Sequence, residues 1–131
     1  MKWMFYGASS FDQSIGDWRV DEVTDMSYMF SYASSFNRPL RDWSVDKVKT
    51  MLYTFFKASA FNQQLAYWNV ARVWDMTGMF QFATAFDQNL GWCVPRGVDE
   101  LGTMFLDTPC ELTVTPECGV TFVTLEKPCP S

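Results

Sequence analysis

A chain of 131 residues, nearly half of them hydrophobic and 18% aromatic, is long enough to bury roughly two-thirds of its unfolded surface and too apolar to be disordered. Its net charge of −5 excludes a nucleic-acid partner, because binding to phosphates draws its affinity from clustered Lys and Arg. No apolar run approaches the roughly 18 to 20 residues that a membrane-spanning helix needs.

The chain opens on Met1-Lys2-Trp3-Met4-Phe5, which is already one step of an internal repeat. Neither a secretory signal nor the polar capping unit expected at the end of a stacked-repeat protein precedes it, so the expectation is a fragment or a true start further upstream. From here anchors recur every 25 residues: Phe5, Phe30, Phe55, Phe80 and Phe105; Ala8, Ala33, Ala58 and Ala83; Phe11, Phe36, Phe61 and Phe86; Met26, Met51, Met76 and Leu101. A period in the range of about 20 to 50 residues predicts coils that bury their apolar faces only by stacking on one another.

Within a coil, Ile15-Trp18-Val20, Leu40-Trp43-Val45 and Leu65-Trp68-Val70 follow the L-x-x-L-x-L spacing of a short strand. Leu90-Trp92-Val94 is one residue short, and a bulge or turn at Pro95-Arg96-Gly97 restores the register at Val98. The segment after each strand, such as Asp75 to Ala83, carries apolar residues at offsets of three and four behind a possible N-cap, which predicts a short helix. Trp and Val then point inward from one wall and Met, Phe and Ala from the other. Asp12, Asn37, Asn62 and Asp87 follow the Phe plug of each coil, where side-chain to backbone turn bonds give them a structural role rather than a ligand-binding one.

The architecture these elements predict is an α/β solenoid. It is a right-handed, leucine-rich-repeat-like stack of about four 25-residue coils, at about 4–28, 29–53, 54–78 and 79–103, with a short parallel sheet. The repeat region spans 1–105, and a Cys- and Pro-rich C-terminal cap spans 106–131. Cys93, Cys110, Cys118 and Cys129 allow three pairings, and without a C-x-x-C motif or any histidine they point to two disulfides stapling the cap rather than to zinc. Persistent disulfides place the protein in an oxidising compartment.

Two surfaces are candidates for binding. Residues interleaved with the inward Trp and Val face outward, and Asp17, Arg19, Asp42, Asp46, Tyr67 and Asn69 are the ligand-binding candidates among them. Asp17 with Asp42 and Asp21 with Asp46 are adjacent like charges, read as solvated rather than metal-binding because hard cations need six or more converging oxygens. No metal or cofactor is assigned. Trp3, Tyr28 and Tyr53, Tyr32 and Phe82, and the isolated Phe56 and Trp74 add aromatic rings outside the core columns, on the side assigned to helices. The lack of histidine removes the common catalytic triads and leaves the same carboxylate pairs as a minimal glycoside hydrolase, on a surface with no expected cleft. The chain therefore reads as a non-enzyme.

The segments Met29-Phe30-Ser31-Tyr32-Ala33-Ser34-Ser35-Phe36-Asn37 and Trp68-Asn69-Val70-Ala71-Arg72-Val73-Trp74-Asp75-Met76 resemble the repeat of the BspA-like leucine-rich-repeat surface proteins. Within that group the match is to the 25-residue repeat of a domain of unknown function found in mycoplasma lipoproteins, and it covers Met4 to Phe105. The resemblance implies a surface-exposed or secreted, non-enzymatic module for adhesion or protein–protein recognition. Its partner would be a protein, an extracellular-matrix component or another cell-surface ligand. The alternative is a structural spacer within a longer repeat array. One departure is clear: the position of the Asn ladder of leucine-rich repeats holds Val23, Val48, Val73 and Val98.

Overall fold

The structure is a computed structural model that describes residues 1–94, 103–112 and 117–122. Its repeating unit is a run of turns bonded to the next coil at every second residue. The backbone N–H groups of Met26, Tyr28, Phe30 and Tyr32 donate to the carbonyls of Thr50, Leu52, Thr54 and Phe56 at 2.8–3.1 Å. Met51, Tyr53, Phe55 and Lys57 repeat the pattern onto Asp75, Thr77, Met79 and Gln81. The residues between them turn the chain instead, with Met29 donating to Met26, Ser31 to Tyr28 and Ala33 to Phe30.

The expected α/β solenoid, with a strand wall and a helical wall, is overturned by this pattern. An α-helix needs uniformly right-handed φ and bonds from each residue to the fourth before it. Here φ is positive at Trp3, Tyr28, Tyr53 and Gly78, and again four residues later at Gly7, Tyr32, Lys57 and Phe82. Each coil thus leaves the helical region twice, and the described residues contain no α-helix. The predicted strands are turns as well, closed by Trp43 N–H to Leu40 and Val48 N–H to Val45. Among the described residues, extended pairing between equivalent positions is limited to the single parallel bridges Asp25–Thr50 and Thr50–Asp75. The described strands are only two residues long: β1 (Cys93–Val94) pairs in parallel with β2 (Thr121–Phe122). The leucine-rich-repeat-like reading falls with the sheet and the helices.

The inward columns, by contrast, form the core. Phe30, Phe55 and Phe80 are fully buried, and their rings stack at 5.3 and 5.4 Å with nearly parallel planes. Phe36, Phe61 and Phe86 form a second buried file at 5.9 and 6.1 Å. Each inner Trp donates its indole N–H to the preceding coil: Trp43 to Ile15, Trp68 to Leu40 and Trp92 to Leu65, at 2.9–3.0 Å. The indole is therefore buried with its one donor satisfied. The one-residue deletion before Trp92 is absorbed without loss of this bond, the separation falling from 28 to 27 residues.

The Asx column also bonds across coils rather than within its own turn. Asn37, Asn62 and Asp87 donate their backbone N–H groups to the side-chain oxygens of Asp12, Asn37 and Asn62 at 2.9–3.0 Å. Asp75, expected to cap a helix, instead holds a turn by accepting from Thr77 N–H at 3.0 Å.

At the far end, Cys110 and Cys118 form a disulfide, and Cys93 is disulfide-bonded as well. The backbone N–H of Leu90 donates to Cys118 and that of Thr121 to Trp92, both at 2.7 Å, which seats this segment on the fourth coil. Cys129, Leu101, Val98 and the expected turn at Pro95-Arg96-Gly97 lie outside the described residues.

Candidate functional site

The outward positions of the first two coils gather around an open depression of about 410 Å3 lined by Asp17, Arg19, Asp21, Asp42 and Ser44, with Gly16, Trp18 and Val20. Arg19 Nε lies 3.7 Å from Asp21 and Arg41 Nε lies 3.9 Å from Asp42. Both pairs are solvent-exposed, so each contributes little to stability. Asp46 is exposed but does not line the depression. Among the described residues, the only group of three potential metal ligands within 4.8 Å of one another is Asp87 with Cys110 and Cys118, and the two sulfurs are consumed by their disulfide.

Tyr67 is 72% exposed, and the Arg41 guanidinium stands 5.0 Å from its ring centroid. Arg41 therefore joins the acidic and tyrosine ends of this face, contacting Asp42 in its own coil and Tyr67 in the next. Sequence reasoning missed Arg41 because it belongs to no recurrent column. Asn69 serves a local purpose: its Oδ1 accepts from Ala71 N–H at 3.1 Å, holding a turn.

The opposite candidate, the excess of aromatic rings, is organised into two ladders. Trp3, Tyr28 and Tyr53 stack face to face at 4.2 and 5.4 Å. Tyr6, Tyr32, Phe56 and Phe82 follow edge to face at 5.5–5.8 Å, with interplanar angles of 70–81°. Such contacts suit the ring quadrupole. The second ladder escapes a strict 25-residue search because it zigzags: Tyr6 and Phe56 take one position of the coil, and Tyr32 and Phe82 take the next. Tyr6 was the ring missed for that reason.

Between the ladders lies an open depression of about 300 Å3 lined by Tyr6, Tyr28, Tyr32, Tyr53, Phe56 and Phe82, with Ser31 and Gln81. The Ser31 side chain is fully buried and its Oγ has no hydrogen-bond partner. The Lys57 ammonium stands over three of the same rings, 5.2 Å from Tyr32, 5.5 Å from Phe56 and 5.6 Å from Phe82. Burial pushes the Tyr28 phenol above its usual value, and the neighbouring Tyr53, Tyr6 and Asp75 reinforce the shift. Trp74, though 55% exposed, is not part of this depression.

The chain belongs to the family described as "Mycoplasma protein of unknown function, DUF285", whose family model matches residues 1–110. The match takes in both ring ladders and the Arg41–Tyr67 face. No curated protein and no solved structure matches the chain. No helix among the described residues is long and apolar enough to cross a membrane.

Proposed function

We propose that this chain is a non-enzymatic recognition module that works at the cell surface or outside the cell, adhering to a protein, matrix component or other cell-surface ligand. The observation that carries this reading is the Arg41–Tyr67 pair: a ring 72% exposed, held by a guanidinium 5.0 Å away, on a frame bonded coil to coil. Tyr and Arg are the side chains that most often anchor protein contacts, and a rigid frame loses little conformational entropy on binding. The acidic depression beside them adds charge that selects partners and speeds encounter. The resemblance to BspA-like surface proteins supports an adhesive role, and the Cys110–Cys118 disulfide supports an oxidising compartment.

Two other readings make different demands. A glycoside hydrolase needs two carboxylates facing each other across a bound sugar; of the pairs Asp17 with Asp42 and Asp21 with Asp46, Asp42 and Asp21 sit beside arginines at an open depression, and Asp46 does not line it. A spacer needs no displayed residue at all. The test uses the fluorescently labelled chain against immobilised fibronectin and fixed epithelial cells, with Arg41→Ala and Tyr67→Ala compared at equal melting temperature. Saturable binding to either target that falls about tenfold or more in both variants is the expected result. Absence of binding to both targets, or binding indifferent to both substitutions, overturns the proposal and leaves the spacer.

A further inference from the structure

The bridge that seats the terminal segment on the fourth coil has a carboxylate beside it. An oxygen of Asp87 and both sulfurs of Cys110–Cys118 lie within 4.8 Å of one another. The corner of the fourth coil brings them together: the Asp87 backbone N–H is fixed on Asn62 Oδ1 at 2.9 Å, and further along the Leu90 N–H donates to the Cys118 carbonyl at 2.7 Å. The other aspartate of this column, Asp12, is paired with Arg38 at 3.1 Å. Asp87 makes no ion pair among the described residues and faces the bridge instead.

The two sulfurs differ in access. Cys110 is wholly buried, its Sγ 3.6 Å from the Phe86 carbonyl oxygen, whereas Cys118 is half-buried and Asp87 is exposed. A thiol arriving from solvent therefore meets Cys118 first. Its thiolate bonds to Cys118 Sγ while the Cys110–Cys118 bond breaks, and Cys110 leaves as a thiolate that takes a proton from water. A second thiolate then attacks the mixed disulfide, frees Cys118 and carries off both reagent sulfurs as their own disulfide, so the two electrons come from the reagent. Cys110 is a poor leaving group, because a thiolate is disfavoured in a buried site against a carbonyl oxygen, and this slows every thiol alike. Asp87 acts differently. Negative charge spreads over three sulfurs in the first step, and the carboxylate repels it more strongly the more negative the attacking thiol is.

We propose that Cys110–Cys118 is a thiol–disulfide exchange site on which Asp87 is an electrostatic guard, holding off anionic thiols and admitting those that carry positive charge beside the sulfur. The carboxylate is not required by the ladder it stands in. Its link to Asn62 is made by the backbone N–H, and Asn37 and Asn62 fill the same position in other coils. The site shares no residue with the Arg41–Tyr67 face, so it stands or falls independently of the recognition surface proposed above.

The test is the rate at which Cys110–Cys118 is reduced in the folded full chain by mercaptoethanesulfonate, mercaptoethanol and cysteamine at equal thiolate concentration, read by alkylation and peptide mapping. Comparing each variant with the unaltered chain cancels the intrinsic reactivity of each thiol. Asp87→Asn should speed mercaptoethanesulfonate by about threefold to tenfold, speed mercaptoethanol less and leave cysteamine unchanged, and concentrated salt should shrink the gain. Asp87→Ser should do the same, and near-ultraviolet circular dichroism checks that both variants keep their packing. Asp46→Asn, which removes an equal charge elsewhere on the surface, should alter none of the three rates. An equal factor for all three thiols in the Asp87 variants marks a looser cap rather than a lost charge and overturns the proposal, as do unchanged rates or an Asp46→Asn gain that matches theirs. Rates independent of thiol concentration overturn it too, since the bridge would then be reached only after the cap had opened.

Discussion

Tyr28, Tyr32, Tyr53 and Phe82 hold bulky rings on a left-handed backbone, the conformation in which glycine alone is free of steric cost. The glycines in the same two columns, Gly7 and Gly78, are the sequence signal for that conformation. A glycine inside a helix costs about 1 kcal/mol relative to alanine, so one glycine in each of these columns argues against the helix that the Met, Phe and Ala spacing suggests. That spacing misleads because turns closed between residues three apart repeat at nearly the interval of a helix. Inward residues were readable all the same, since burial depends on which face a residue takes and not on the hydrogen bonds that hold it there. Phe55 is the sharpest case: fully buried, it stacks on Phe30, Phe61 and Phe80 and packs against Trp68. Phe55→Ala is expected to lower unfolding stability by about 3–5 kcal/mol in urea titrations, whereas Tyr67→Ala leaves it unchanged. A midpoint that hardly moved for Phe55→Ala would remove that ring from the core.

The Asx column shows why an element can be recognised while its bonding is not. A period of 25 residues makes Asp12, Asn37, Asn62 and Asp87 neighbours in space, but it does not say whether each side chain bonds within its own coil or to the next. The side chains reach across, and Gln63 and Gln88 add second donors to Asn37 and Asn62. At the first step, the Asn37 N–H and the Arg38 guanidinium hold the Asp12 carboxyl below its usual value of 3.8. The cross-coil ladder sought at the valine column is thus made one corner away, at the solvent-facing side. Asn62 is its central link, with Oδ1 2.9 Å from both Asp87 N and Gln88 Nε2. Asn62→Ala should cost about 1 kcal/mol in urea unfolding, while Asn62→Asp, which keeps the acceptor, should cost much less at neutral pH. Equal losses in the two variants would mean that the carbonyl oxygen is not what joins the coils.

For the molecule as a whole, repetition decides what lies inside, and hydrogen bonds between coils decide what the backbone looks like. The first is written in residue types at fixed spacing; the second depends on partners 24 residues away and leaves only the two glycines as a local trace. The same division explains the surfaces. Tyr67 and the acidic residues could be found by alternation with inward anchors, but Arg41 and the zigzag of Tyr6, Tyr32, Phe56 and Phe82 arise only when coils are set side by side. The Arg41–Tyr67 face and the ring ladders both rest on that placement.

Nuclear magnetic resonance couplings transmitted through hydrogen bonds test it most directly, because they pair each amide nitrogen with the carbonyl carbon that accepts its proton. The expected pairs run from one coil to the next: Met26 to Thr50, Tyr28 to Leu52, Phe30 to Thr54 and Tyr32 to Phe56. Couplings from Phe30 to Met26 and from Tyr32 to Tyr28 would instead reveal a continuous α-helix, and would dissolve the turn ladder together with the ring ladders built on it.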